Sequence, residues 1–300
     1  MKQFQPVGFG QKVMETYLGV MAYYTPVGAP WRSQDDNTHR PTLIFLHSLG
    51  GGSSAYEWSK VYPAFATEYD VIAPDLVGWG QSAHPPRDYR SEDYLAVITE
   101  LLEYHADHPT TVCATSLTAG LCLRLATQRP DLFKSLFVVS PSGYNDFGVD
   151  YQATLSAQLT RIPGLDRVIY ALGAANEVAI ANFMQQFLFA QCDRITPEMV
   201  KAYLTSATQP NAEYAALASL KGSICFDLSR YLTHLRVPTM MIWGERSRFQ
   251  SPEVGQRLAK LNPQEIQRFE VIPDAGVLPH LEVPAVVIGL LRQWLNRSEE

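Results

Sequence analysis

The side chain best placed to do chemistry is that of Ser116. It sits in Ala114-Thr115-Ser116-Leu117-Thr118-Ala119-Gly120, where the apolar run TTVCAT (110–115) passes without a spacer into LTAGLCLRLATQR (117–129). Small residues two before and two after a serine at such a junction allow a tight turn. That turn lifts the hydroxyl above a sheet and aims a helix N-terminus at it. The usual pattern is G-x-S-x-G; Ala114 and Thr118 replace both glycines here, and a helix N-cap serine is the competing reading. A serine hydroxyl attacks a carbonyl only when a base accepts its proton, and histidine serves because its pKa lies near 7. Seven histidines are present. His105 and His108, spaced i and i+3 near a helix end, lack further ligands and read as structural. His39, His84 and His234 carry no motif. The four cysteines (Cys113, Cys122, Cys192, Cys225) form no C-x-x-C pair, so neither a zinc site nor a disulfide framework is expected. No metal or cofactor is expected.

The elements that must position Ser116 alternate in type. Residues 13–24 hold two short β-branched and aromatic stretches split by Gly19, a hairpin pattern. TLIFLH (42–47) is a buried strand with a glycine-rich exit. Ser54 and Glu57 make an S-x-x-E capping box that predicts a helix through WSKVYPAF. DVIAPDL (70–76) is a strand, and Ser91 starts a helix with Glu92 and Asp93 in its first turn and Leu95, Ile98 and Leu102 on one face. TTVCAT and SLFVVS (135–140) are strands, with the helix between them stopped by Pro130. This β-α-β alternation predicts a parallel sheet with helices on both faces. Residues 145–230 then give helix signals only, with Thr196-Pro197 one clear start, before strand TMMIWG (239–244), a helix from Ser251-Pro252-Glu253, strand FEVI (269–272) and a last helix from Pro284.

Three hundred residues, 46% hydrophobic and 18% charged, exclude a disordered chain. A net charge of −6 argues against nucleic acid as a partner. The opening MKQFQPVGFGQK has no secretion signal, and no run of 18 apolar residues occurs, so a cytoplasmic chain without a membrane span is expected.

The stretches LHSLGGGSS, APDLVGWGQS, the Ser116 turn, VPTMMIWGERSRF and IPDAGVLPHLEVP, in this order and spacing from about residue 40 to 296, resemble the α/β-hydrolase fold superfamily. The resemblance implies a mostly parallel eight-stranded sheet, with residues 1–144 and 231–300 as the α/β core and residues 145–230 as an inserted helical cap. It implies Ser116 as nucleophile and an oxyanion hole from the N–H groups of Leu49 and Leu117. Ser48 stands where the family usually has glycine.

The triad partners depart from the family pattern. The acid position of W-G-x-x-D holds Ser247, and the base position of G-H-x-P-H-x-E-x-P holds Val277. Valine takes no proton, and serine cannot hold an imidazole tautomer as an anion does. His280, three residues on in the same loop, is the first candidate for a relocated base; its other reading is the family's second, non-catalytic histidine. Asp146, after the strand where some members place their acid, reads otherwise as a turn or capping aspartate. His47 reads as structural in the oxyanion loop, and Glu245 as a solvated charge.

Residues 168–192 carry one charge, Glu177, in 25 residues, with Phe183, Met184, Phe187 and Phe189 in the second half. Either these helices are packed on most faces, or they roof a site for a small apolar or lipophilic molecule, or touch a membrane surface. Ser48, Phe183 and Phe187 are the expected binding residues. The expected function is a weakly active or non-catalytic hydrolase relative that binds a small apolar ligand or partner. The alternatives are an active esterase-like serine hydrolase using Ser116 with a base such as His280, and a lyase or cofactor-free oxygenase on the same scaffold.

Overall fold

The computed structural model describes residues 4–33, 38–105, 108–162, 164–173 and 175–297. The chain enters through a hairpin of β1 (Phe9–Thr16) and β2 (Gly19–Pro26), paired from Phe9↔Pro26 to Thr16↔Gly19. Six further strands follow: β3 (Thr42–Leu46), β4 (Asp70–Pro74), β5 (Thr110–Thr115), β6 (Phe133–Val139), β7 (Thr239–Gly244) and β8 (Ile266–Ile272). The eight form one sheet in the order β1-β2-β4-β3-β5-β6-β7-β8. β2 is antiparallel to both neighbours, and β3 to β8 run parallel.

Strands covered on both faces must be apolar at every position, because successive side chains leave opposite sides of the pleat. Leu43 and Phe45 of β3, Cys113 of β5, and Phe137 and Val139 of β6 pack into one apolar layer. Their neighbours Ile44, Leu46, Val112, Ala114, Leu136 and Val138 pack into the other. Helices α1 (Ser91–His105) and α2 (Ser116–Gln128) contribute Leu101, Leu121 and Leu125 to the second layer.

One local expectation fails. The Ser54–Glu57 capping box opens no α-helix; two 3₁₀ turns stand there, Ala55–Trp58 and Tyr62–Phe65. The Ser54 hydroxyl accepts from Tyr56 N at 3.4 Å, but the Glu57 carboxylate does not close the box. Pro63, with no N–H to donate, prevents the turns from merging.

Between β6 and β7 the described residues form helices α3 (Leu155–Leu159), α4 (Leu165–Gly173), α5 (Glu177–Phe183), α6 (Pro197–Ala207), α7 (Ala212–Leu220) and α8 (Ser229–Leu232), with a π-helical turn at Met184–Leu188. Thr196 starts α6 as expected, its hydroxyl accepting from Met199 N at 3.3 Å. The low-charge stretch divides. Ile180, Met184, Leu188 and Phe189 are buried with Tyr203, Val277 and Leu278, whereas Leu172, Val178 and Phe187 are exposed. Helices α9 (Pro252–Ala259), α10 (Pro279–Glu282) and α11 (Pro284–Arg297) complete the chain, and Val287, Leu291 and Trp294 of α11 face the core. Among the described residues no helix is long and apolar enough to cross a membrane.

Candidate functional site

Ser116 begins α2 directly after β5 and takes a left-handed backbone, φ 55°. A non-glycine residue holds that conformation only where its surroundings force it, at a cost of about 1–3 kcal/mol. Three contacts do the forcing. Thr118 Oγ1 donates to His47 O at 2.7 Å, Ser142 N donates to Ser116 O at 3.3 Å, and a Cβ on Gly120 would stand 2.4 Å from Ser142 O. Leu117 is in the first turn of α2, where N–H groups have no intrahelical acceptor, and the Leu49 N–H has no acceptor among the described residues. Both residues line the same cavity as Ser116, of about 320 Å³.

That cavity lies between the strand ends and the helical insertion. Ser48, Leu49, Ser116, Leu117, Val277 and Leu278 come from the core loops; Ile169, Ile180, Phe183, Leu188 and Tyr203 come from the insertion. Its wall is mostly apolar. The Ser116 hydroxyl is within 3.2 Å of the Tyr144 phenol. Burial pushes the Tyr144 phenol up to about 12, so it stays protonated at neutral pH and is a hydrogen-bond donor rather than a base. Tyr144 is itself left-handed, φ 62°. Asp146 accounts for that bend: it accepts from Ser142 Oγ (2.9 Å), Gly143 N (3.1 Å), Leu228 N (2.9 Å) and Gln250 Nε2 (3.2 Å). Asp146 is thus a turn-holding carboxylate, and it does not line the cavity.

The loop of His47, Ser48 and Leu49 after β3 has its own anchor. His47 is fully buried; its Nε2 accepts from Leu76 N at 2.9 Å and its Nδ1 lies 2.5 Å from Ser48 O. Burial lowers its pKa to about 4. The neutral tautomer with the proton on Nδ1 satisfies both contacts, which gives His47 its structural role. Glu57, fully buried on the first 3₁₀ turn, accepts from Ser48 N (2.8 Å), Ser48 Oγ (2.8 Å) and, from α6, Tyr203 OH (3.0 Å). Ser48 Oγ is also 2.8 Å from Ser53 Oγ. Burial raises the Glu57 pKa against these donors.

The expected triad partners scatter. The Val277 side chain lines the cavity, and its N–H donates to Leu188 O at 2.8 Å. Ser247 and Phe187 do not line it; Phe187 is exposed and stacked on Phe249 at 6.0 Å. Phe183 does line it. Glu245 is exposed and accepts from Asp274 N at 3.0 Å. His280 is outside the lining, fully buried on α10, with its ring stacked on Trp58 at 4.1 Å. Neither ring nitrogen has a hydrogen-bond partner among the described residues, and burial lowers the pKa to about 3.

The loop carrying Val277 is held against the insertion. Buried Glu282 accepts from Gly276 N (2.7 Å), Ala190 N (3.0 Å) and Gln191 N (3.0 Å) and pairs with Arg194 at 3.0 Å. A Cβ on Gly276 would lie 2.3 Å from Leu188 O, so the two segments are in backbone contact. Among the described residues no group of three His, Cys, Asp or Glu side chains could hold a metal ion. Sequence reasoning missed Tyr144, Tyr203 and the true contacts of Glu57. Only Glu57 carried a signal, which the capping-box spacing absorbed.

An uncharacterized protein of Mycobacterium tuberculosis is 25% identical over 267 residues, covering 86% of this chain and 76% of that protein. Lipase 1 of Psychrobacter immobilis is 24% identical over 255 residues, covering 83% of this chain and 75% of the lipase. Among solved structures, haloalkane dehalogenase DbeA of Bradyrhizobium elkani superposes with a TM-score of 0.76 at 18% identity, covering 97% of this chain and 99% of that one. The strand order, the strained serine after β5 and a match of residues 41–284 to the family model agree: the chain belongs to the alpha/beta hydrolase fold family.

Proposed function

We propose that this protein binds a small, largely apolar carbonyl compound in the cavity beneath the insertion, and that a Ser116–imidazole pair does not turn it over. One observation carries the reading: the cavity that holds the strained Ser116 is lined by Val277, the residue at the base position of the sequence pattern, and by no imidazole. The carbonyl oxygen accepts from the N–H groups of Leu49 and Leu117, and the apolar remainder lies along Ile169, Ile180, Phe183 and Leu188. About 320 Å³ is at the small end of ligand pockets, which run from about 300 to 1,000 Å³. Residues 145–230 act as the cap of this site.

The second reading, an active esterase-like hydrolase, is favoured by the retained turn at Ser116 and by the likeness to a protein described as a lipase. One experiment separates the two. Binding of medium-chain ketones and esters is followed by displacement of an apolar fluorophore, and p-nitrophenyl ester hydrolysis is measured in parallel. The expected result is displacement that Val277→Phe abolishes, with Ser116-dependent hydrolysis no more than about 10³–10⁴ over water. Ser247→Asp combined with Val277→His is expected to raise that rate by about 10²–10⁴, the range for a general base. Fast wild-type hydrolysis lost in Ser116→Ala would overturn the binding reading, and absence of displacement would overturn the cavity assignment.

A further inference from the structure

We propose that Ser48 and Glu57 form a nucleophile–base pair in the cavity, separate from Ser116. The inference rests on the cavity being the ligand site and goes beyond the binding reading. Ser48 lines the cavity, and its hydroxyl is 2.8 Å from Glu57 Oε1, within proton-transfer reach. The base is oriented by further groups, as the general form of a catalytic triad requires: Tyr203 OH at 3.0 Å from the insertion side and Ser48 N at 2.8 Å from the loop side. Glu57 accepts from the Ser48 N–H, the Ser48 hydroxyl and the Tyr203 phenol, all neutral donors, and no lysine, arginine or histidine pairs with it among the described residues. A carboxylate desolvated without a cation holds a proton more strongly than an exposed one, which suits it to accept one from a hydroxyl. Ser48 and Val277, both departures from the family pattern, line the same cavity: an imidazole is absent, and a serine on a buried glutamate is present.

The step balances. Ser48 Oγ bonds to the carbonyl carbon of an ester as its proton passes to Glu57 Oε1. The C–O bond to the leaving alcohol then breaks, and that oxygen takes the proton from Glu57. Water attacks the acyl-Ser48, giving one proton to Glu57; the acyl–Oγ bond breaks, and Glu57 returns the proton to Ser48. The Leu49 N–H, next in the chain and without an acceptor among the described residues, is the nearest donor in sequence for the transient oxyanion.

The test is the site of labelling by an alkyl fluorophosphonate, located by peptide mass spectrometry on the full-length chain. The adduct is expected on Ser48 in the wild type and in Ser116→Ala, absent in Ser48→Ala, and formed at least tenfold more slowly in Glu57→Gln. An adduct on Ser116 alone, or no adduct, overturns the proposal. Labelling unchanged in folded Glu57→Gln also overturns it and leaves Glu57 an anchor of the loop. Should Glu57→Gln fail to fold, Tyr203→Phe decides. Removing one donor to the carboxylate raises its pKa, so the midpoint of the labelling rate against pH moves up; an unmoved midpoint overturns the pair. Fluorophore displacement, measured on each variant, reports the cavity reading independently of the label.

Discussion

At the scale of single residues, the cavity brings Ser116 and Val277 together and leaves His280 and Ser247 outside its lining. Ser116 keeps a left-handed backbone although the base position of the pattern holds valine. Glycine adopts that conformation without strain, so Ser116→Gly is expected to stabilise the fold by about 1 kcal/mol, the relief of strain less the added freedom of the unfolded chain. Thermal unfolding of the two proteins checks this, and a fall in Tm would show that the serine hydroxyl itself holds the turn. The position of Ser116 was legible in the sequence, because a strand that runs into a helix around a serine with small neighbours leaves few alternatives. Ser247 and Val277 came from the family's acid and base motifs instead, and of the two only Val277 lines the cavity. The contacts of Glu57 were not: a Ser-x-x-Glu spacing fits a helix cap as well as a loop anchor. Its partner Tyr203 is 146 residues away and joins it only through the packing of α6. Tyr144 was equally hidden, since its bend is enforced by Asp146 holding the backbone N–H groups of Gly143 and Leu228 and the side-chain amide of Gln250, from three segments.

At the scale of elements, eight strands and the principal core helices followed from apolar runs and turn residues, with hairpin, parallel strands and final helix where periodicity placed them. The helix expected after Ser54 did not form, and the reason is tertiary: Glu57 is committed to Ser48 in the loop after β3 and Pro63 interrupts the next turn. The insertion is joined to the core by a second carboxylate. Glu282 gathers three backbone N–H groups and Arg194, which also reaches Asp274 at 2.8 Å. Arg194→Met leaves that buried carboxylate without its cation. The expected loss is at the lower end of the about 3–5 kcal/mol seen when a buried pair is broken, since Arg194 keeps some exposure. Thermal unfolding measures the loss, and limited proteolysis should show faster cleavage within residues 188–194. An unchanged Tm would mean that the backbone donors alone hold Glu282.

At the scale of the whole molecule, buried histidines couple folding to pH. His280 is neutral in the fold, with its pKa lowered to about 3 by burial, against about 6.5 in an unfolded chain. Above pH 6.5 both states are neutral and the residue adds no pH dependence. As pH falls below 6.5 the unfolded state binds the proton first, and stability is lost progressively down to about pH 3. His47, lowered to about 4, acts in the same direction. Asp75, raised by burial to about 6, acts in the opposite one, favouring the fold as pH falls from 6 toward 4. His280→Phe keeps an aromatic face on Trp58 and removes one titration. The difference in Tm between variant and wild type should therefore widen in the variant's favour from pH 7 to pH 4. A difference independent of pH would place the titration of His280 elsewhere.

The Tyr203 phenol is a helix α6 side chain bonded to the Glu57 carboxylate, which also holds the Ser48 loop, so the two regions share one thermodynamic variable. A ligand that shifts α6 on entering the cavity changes the proton affinity of Glu57. Reciprocity then requires the protonation of Glu57 to change that ligand's affinity by the same factor. Ligand uptake would thus carry a proton count, measurable as heat that varies with the ionisation enthalpy of the buffer.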